Sequence, residues 1–506
     1  MRKYILYGSL SGIVQVAINT ILVVLTVSLF IDKLGVELYG IFSLFAVIGN
    51  FNLLVNLGFN TSLIKFLVEQ GRTEESNYDI ITVFLVLSLI LVLVTALLLF
   101  NETFVLKNIF ALSEINLTTE TSILFKTILF SSVLIILGQV PSAIFDSLQK
   151  TYLTNLLQLF YSILNKSSII ILLFVDPRLS SIGIFSLSAT IIWFIILLIV
   201  AIKVWGFYRI TNYSKSFIPT IKKQFKYSSK IYGSNILGFF YEPLTKILIN
   251  KYIGIREVAF FEIALRIKGL FWSLIERLIY PITPLIGKLE NKIQIAQIIQ
   301  TVEKKLLLFG IFIIAIVCTN MHQIVQLWIG REVEIISTTA NIILALYLLF
   351  ALPLYPTYQY LIMKGFPEKV LILQSVNVIV NVSLFYLLLP YFNYWGAVAS
   401  FNFAVLCSFI LLLKYRTKLL NIKLIENKTD LRNIILFSII LVALNGFINM
   451  FHLSTSTHII IVIIFNSLVS FLLIRYLHLI SKEDLNIFFG ENIKYKNMLT
   501  RILISN

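Results

Sequence analysis

Residues 34–46 read LGVELYGIFSLFA and residues 253–265 read IGIREVAFFEIAL, a short turn opening onto an apolar run, repeated at a constant offset of 219 that sets Gly35 over Gly254 and Phe42 over Phe261. Each copy opens the second apolar segment of a half that holds six. Because six is even, the two halves enter a bilayer in the same orientation, which makes them parallel repeats related about the membrane normal. A looser match pairs Pro141 with Pro356 and Gly183 with Gly396.

Outward from these turns the chain is apolar almost throughout: 58% of its 506 residues are hydrophobic and 13% charged, with a mean hydropathy of +0.92. A spanning helix needs ~20 apolar residues. Segments of that kind are predicted over 4–31, 39–66, 80–100, 121–145, 153–175, 182–204, 229–253, 258–285, 305–329, 337–363, 369–389, 395–413, 433–451 and 458–480. The expected fold is an all-α polytopic membrane protein of about 14 transmembrane helices, built as two parallel six-helix lobes plus a C-terminal helix pair. The lobes are expected at 1–210 and 229–428, separated by a basic cytoplasmic linker at 211–228 and followed by the extra pair at 429–480 and a cytoplasmic tail at 481–506. The first segment has basic residues ahead of it but no small-residue cleavage site, so it reads as an uncleaved helix.

With the N-terminus inside, the cytoplasmic segments hold 28 lysines and arginines, and the outer loops hold five: Lys33, Lys107, Arg178, Arg256 and Arg331. This asymmetry predicts a multi-pass protein of the cell membrane with both termini cytoplasmic. It accounts for most of the +16 net charge as topology and contact with anionic headgroups, so no nucleic-acid partner is called for. Cys318 and Cys407 stand alone in apolar runs and the four histidines lack ligand spacing, so no metal or cofactor is expected.

Ionisable residues inside a bilayer cost ~2.5 to 3.5 kcal/mol even on lenient scales, and they mark candidate sites. In segment 258–285, Glu262, Arg266, Gly269, Ser273 and Arg277 recur at steps of four, three, four and four, which is one helical stripe, and Glu276 adjoins it. One reading makes this a cavity lining whose arginines offer forked donors to a diphosphate or acidic sugar. The other pairs Glu262 with Arg266 and lets Arg277 reach the headgroups. Lys268 falls off the stripe.

Segment 153–175 carries Asn155, Gln158, Ser162, Asn165 and Lys166, with Lys166 ~20 Å from the inner end at the helical rise. Lys166 is either a cavity cation or the partner of a buried carboxylate. Asn52, Asn56 and Asn60, and likewise Gln374, Asn377 and Asn381, can bond sugar hydroxyls or glue helices together. Glu242 and Pro243, in the middle of segment 229–253, suggest a hinge, a cation site or a plain kink. Lys126 and Lys246 are expected to snorkel to the outer interface, and Tyr355, Tyr358 and Tyr360 to lie in an interfacial belt.

The stretches LGVELYGIFSLF, NLGFNTSLIKF, YEPLTKILINKYIGIREVAFFEIALRIKGL, YPITP, IVQLWIGREV and PYFNYWGAVASF together resemble the Wzx-type polysaccharide-export flippases of the MATE-like superfamily. The resemblance runs through the twelfth segment. It implies a MATE-like fold and alternating-access translocation of a polyprenyl-diphosphate-linked oligosaccharide from the inner to the outer leaflet, for capsule- or O-antigen-like polysaccharide. The candidate cavity residues read above for such a substrate are Arg266, Arg277, Lys166, Glu262, Ser273 and Asn56, with Glu242 and Pro243 for ion coupling or a hinge. The family often has an aspartate ahead of the basic residue at 246; here Thr245 stands there, and Glu242 lies three residues earlier. The implied partners are the lipid-linked substrate, membrane lipids and glycan-assembly proteins such as a polymerase, with the chain itself a monomer. Two rivals stay open. A MATE-like cation-coupled exporter should show a net acidic cavity. A membrane-embedded polymerase needs a catalytic arrangement outside the bilayer, and the outer loop at 101–120 offers only Glu102, Lys107, Glu114 and Glu120.

Overall fold

A computed structural model of the chain describes residues 2–50, 58–206, 217–225, 240–279, 289–422, 428–451 and 455–479, together with 228, 237, 238 and 286. Every regular element among the described residues is helical. Nine of these helices are long and apolar enough to cross a membrane: Val14–Leu34, Glu74–Phe100, Thr119–Ser147, Thr151–Val175, Leu179–Trp205, Val333–Ala351, Pro367–Phe392, Tyr394–Leu420 and Thr457–Tyr476. All nine fall on expected segments. Large apolar side chains stand in the open along them, as at Leu89 (62% exposed) and Leu97 (63%). Such a surface is tolerable in lipid and not in water, and helices satisfy their own backbone there. The protein is a multi-pass helical membrane protein.

The chain divides into two compact units, Met1–Glu262 and Ile263–Asn506. The first contains α1 (Arg2–Leu34), α2 (Val36–Asn50), α3 (Phe59–Gln70), α4 (Glu74–Phe100), α5 (Thr119–Leu137), α6 (Gln139–Ser147), α7 (Thr151–Val175), α8 (Leu179–Trp205), α9 (Glu242–Tyr252) and the start of α10 (Ile255–Ile279). Gly35 links α1 to α2 at φ +87°, a left-handed conformation that side chains resist. Gly40 lies so close to the Ile255 carbonyl that a Cβ would overlap it, which lets α2 and the start of α10 approach closely. The core of this unit joins α3, α4, α6 and α8 through Phe59, Leu63, Leu87, Phe145, Trp193 and Trp205.

The helical stretch 217–225 belongs to this unit. Lys223 bonds Asp79 at 2.7 Å and Glu75 at 3.2 Å, and Gln224 accepts from Ser62 at 2.6 Å. Lys223, within the stretch expected as a basic linker, neutralises a carboxylate that is fully buried.

The second unit holds the rest of α10, then α11 (Lys292–Ile313), α12 (Met321–Trp328), α13 (Val333–Leu346), α14 (Tyr355–Met363), α15 (Pro367–Phe392), α16 (Tyr394–Leu420), α17 (Lys428–Asn449) and α18 (Thr455–Tyr476). In this unit two segments expected as single helices are broken. A π turn at Ile314–Cys318 separates α11 from α12, and a second at Tyr347–Ala351, followed by Pro353, separates α13 from α14. The terminal pair is fastened to α11 and its π turn by an apolar cluster of Leu308, Ala315, Phe437, Leu441 and Leu479. Polar ties reinforce it: Asn445 and Asn466 exchange amide bonds at 3.1 and 2.9 Å, His458 meets Asn320 at 3.0 Å, and Lys305 donates to the Leu479 carbonyl at 2.5 Å.

Candidate functional site

The polar stripe of α10 meets several different environments along its length. Glu262 is buried and bonded to Lys246 of α9, with side-chain exposures of 8% and 7%. Lys246 therefore does not snorkel; it neutralises a carboxylate inside the first unit. Arg266 is half-buried, and Ser273 turns its hydroxyl back to the Leu270 carbonyl at 2.8 Å. Gly269 and Glu276, seven residues apart and so on one face, are exposed. Arg277 lies outside the residues whose side chains are described, and Asn52 and Asn56 lie outside the described residues altogether.

Glu242 and Pro243 are not in a helix interior. They form the first turn of α9, directly after a turn at 240–241, with Glu242 half-buried and Pro243 buried. Proline fits a first helical turn because its missing N–H would have no intrahelical acceptor there. The chain thus breaks at this point instead of kinking.

On α7 the stripe is largely spent on neighbours. Asn155 donates to Ser11 at 3.1 Å, Gln158 accepts from Gln15 at 2.9 Å, and Asn165 donates to Ser186 at 2.8 Å and to Tyr161. Lys166 is half-buried one position further on. On α15, Asn377 accepts from Ser408 at 2.5 Å and Asn381 from Ser400 at 3.2 Å, both on α16. These amides glue helices, as small and polar residues do in membranes. Gln374 differs, since it donates to the Tyr358 hydroxyl at 3.5 Å.

The tyrosines expected in a lipid belt are inside the second unit instead: Tyr355 is 8% exposed and Tyr360 4%. Tyr355 packs edge-on against Trp272 of α10 and its hydroxyl donates to Glu276 at 3.4 Å. Lys268, off the stripe, is buried over the rings of Tyr347 and Phe401 at 4.9 and 5.7 Å. The face of an aromatic ring attracts a cation electrostatically.

Glu303 of α11 pairs with Arg416 of α16 at 2.8 Å, both buried, and Thr357 donates to Glu303 at 2.5 Å. Charge counting places Arg416 among the cytoplasmic cations, in the headgroup zone. Neither partner stands out in the sequence, because each falls at or beyond the edge of an apolar segment; the helices run on past the hydropathy boundary. Only the presence of a lone acid beside Lys304 and Lys305 could have hinted at it.

The chain matches the family described as polysaccharide biosynthesis protein over residues 5–289, more than half its length. A comparison with curated proteins returns no match. Among solved structures it is similar to the lipid II flippase MurJ in an inward closed conformation, at 18% identity and a TM-score of 0.68, covering 93% of this chain and 98% of that one. It is also similar to a multidrug resistance MATE family transporter of the MOP superfamily, inward-facing, at 17% identity and 0.65, covering 81% and 98%. The Vibrio cholerae MATE transporter VcmN, in its bent form, aligns at 16% identity and 0.54, covering 81% and 95%. The fold is thus the one that MurJ and the MATE transporters share, and the chain belongs to the polysaccharide biosynthesis protein family.

Proposed function

We propose that this protein is a flippase that carries a polyprenyl-diphosphate-linked oligosaccharide from the inner to the outer leaflet of the cytoplasmic membrane, for capsule- or O-antigen-like surface polysaccharide. The observation that carries the reading is the joint one of a polysaccharide-biosynthesis family match and a fold like that of a lipid-linked flippase along nearly the whole chain. Transport needs no catalytic constellation, only a site that faces each side in turn. The parallel repeat supplies two halves of like orientation, 1–210 and 229–428, for such a motion. Both termini are cytoplasmic, the protein acts as a monomer, and glycan-assembly proteins are its partners.

Arg266 and Lys166 are the cations we assign to the diphosphate, and Arg277, Ser273 and Asn56 are assigned to the same substrate path. A unit charge pair at 4 Å is worth ~4 kcal/mol at an effective dielectric of 20, enough to offset part of a diphosphate's dehydration. Glu262, held by Lys246, is assigned to holding α9 against α10. Glu242 and Pro243, at the break before α9, are assigned to a hinge or an ion-coupling site. A second reading, cation-coupled export of a small molecule, draws on the likeness to a multidrug transporter.

The test is deletion of the encoding gene, with lipid-linked and surface glycans measured by mass spectrometry and complementation by wild type, Arg266→Ala and Lys166→Ala. The expected result is intact lipid-linked oligosaccharide retained on the cytoplasmic side, loss of surface glycan, and failure of both variants at normal membrane levels. Unchanged surface glycan would refute the flippase reading and leave the exporter.

A further inference from the structure

Aromatic rings from three elements of the second unit gather beside the second half of α10. Trp272 meets Tyr347 at 5.2 Å and 79°, and Tyr355 at 4.8 Å and 87°, while Tyr355 and Tyr358 lie 6.4 Å apart and within 18° of parallel. A cluster made only for packing would be closed off and rimmed by apolar side chains. This one is not. Trp272 and Tyr358 are half-buried, Glu276 is exposed, and the polar contacts at its rim include a carboxylate on the Tyr355 hydroxyl and the Gln374 amide on the Tyr358 hydroxyl. A carboxylate at an accessible place on a helix of a membrane protein faces water or a ligand, since lipid hydrocarbon does not solvate it.

Aromatic faces with a rim of hydroxyl, amide and carboxylate suit one class of ligand. A pyranose has one face of C–H bonds, whose slightly positive hydrogens meet the negative face of a ring. Its equatorial hydroxyls point outward as donors that a carboxylate and an amide oxygen accept, and charge-assisted bonds of that kind are the stronger ones. The same carboxylate repels a sugar acid, so Glu276 selects by exclusion as well as by attraction. Lys268 is buried over the rings of Tyr347 and Phe401, and Glu276→Gln isolates the contribution of the carboxylate from that of the lysine.

We propose that Trp272, Tyr355, Tyr358, Glu276 and Gln374 form a sugar-recognition subsite for a neutral pyranose of the glycan, discriminating against uronic acids. The proposal rests on the flippase reading above and adds the class of sugar that the site accepts.

The experiment uses the full chain in lipid nanodiscs and three synthetic lipids with the same prenyl chain: the bare diphosphate, the diphosphate carrying N-acetylglucosamine, and the diphosphate carrying glucuronic acid. Calorimetric titration of the wild type should rank the N-acetylglucosamine lipid about tenfold tighter than either of the others, which is one well-made contact set. Trp272→Leu and Tyr358→Phe should bring the ratio of neutral-sugar to bare lipid towards one. Glu276→Gln should keep the neutral sugar ahead of the bare lipid and abolish the penalty on glucuronic acid. Because Tyr358→Phe and Glu276→Gln are close in shape to the native residues, loss of folding in Trp272→Leu does not block the test. If the three lipids rank alike in the wild type, or the variants keep the wild-type ratios, the rings are packing and the subsite is refuted while the flippase reading stands. If the wild type binds none of the three lipids, the flippase reading itself fails and takes the subsite with it.

Discussion

Helix α10 carries Glu262 in its first half and Glu276 near its other end, and these two are used in opposite ways. Glu262 is sealed in the first unit with a buried lysine from α9, whereas Glu276 is exposed in the second unit beside Trp272 and the Tyr355 hydroxyl. Both sit on or beside one polar stripe of one helix. The difference comes from what the neighbouring helices bring: at Glu262 a lysine close enough to repay desolvation, at Glu276 rings and neutral donors that leave the charge to water. A buried charge must be compensated at once, while an accessible one can wait for a ligand.

The sharpest way to break this contrast is to remove one partner of the buried pair. Glu262→Ala leaves Lys246 without its carboxylate in a closed site, and the expected loss is ~3 to 5 kcal/mol of stability. Thermal unfolding of the purified protein in detergent measures it. The double variant Lys246→Met with Glu262→Leu should recover most of the loss, because apolar side chains of similar volume remove the desolvation cost along with the attraction. A single variant as stable as wild type would mean that Glu262 is not sealed, and the contrast between the two ends would fall.

The sequence alone makes much of the architecture legible and far less of the site. Period and length are local properties, so apolar runs locate the nine helices that, among the described residues, are long and apolar enough to cross a membrane. The breaks are harder. Pro243 reads as mid-helix and opens α9 instead, and the turns at 319–320 and 352–354 interrupt segments that average as apolar although Asn320 and Pro353 stand at the breaks. Pairing between distant helices is not legible at all. Lys246 with Glu262 and Glu303 with Arg416 are each formed across helices, and nothing in the spacing along one helix encodes the partner on another. The amides on α15 read equally as sugar contacts or as helix glue at the level of period, and hydroxyls on the adjacent helix take up Asn377 and Asn381, as neighbouring side chains take up the amides of α7.

A smaller effect is expected where amides pair without charge. Asn445→Leu strands the Asn466 side chain in the buried contact between α17 and α18, at a cost of ~1 to 3 kcal/mol, and replacing both by leucine should be nearly neutral. The readout is again the unfolding midpoint. Below that, Asn377→Ala, which removes one of the interhelical bonds to α16, should cost ~0.6 kcal/mol, the average for such bonds within membranes. Were Asn377→Ala instead to abolish glycan export at normal stability, the α15 amides would have to be moved from packing to the substrate path.

The smallest expected effect on stability is the most telling for function. Glu276→Gln keeps shape and hydrogen-bonding capacity and removes a charge that solvent already screens, so unfolding should shift by no more than ~0.5 kcal/mol. The contrast with Glu262 then becomes quantitative: two glutamates on one helix, one worth several kcal/mol to the fold and one worth almost nothing. A carboxylate that the fold does not need, held at the rim of three aromatic rings by a tyrosine hydroxyl, is available for recognition. A loss as large as that of Glu262→Ala would place Glu276 among the structural charges, and the two ends of α10 would then differ in exposure without differing in role.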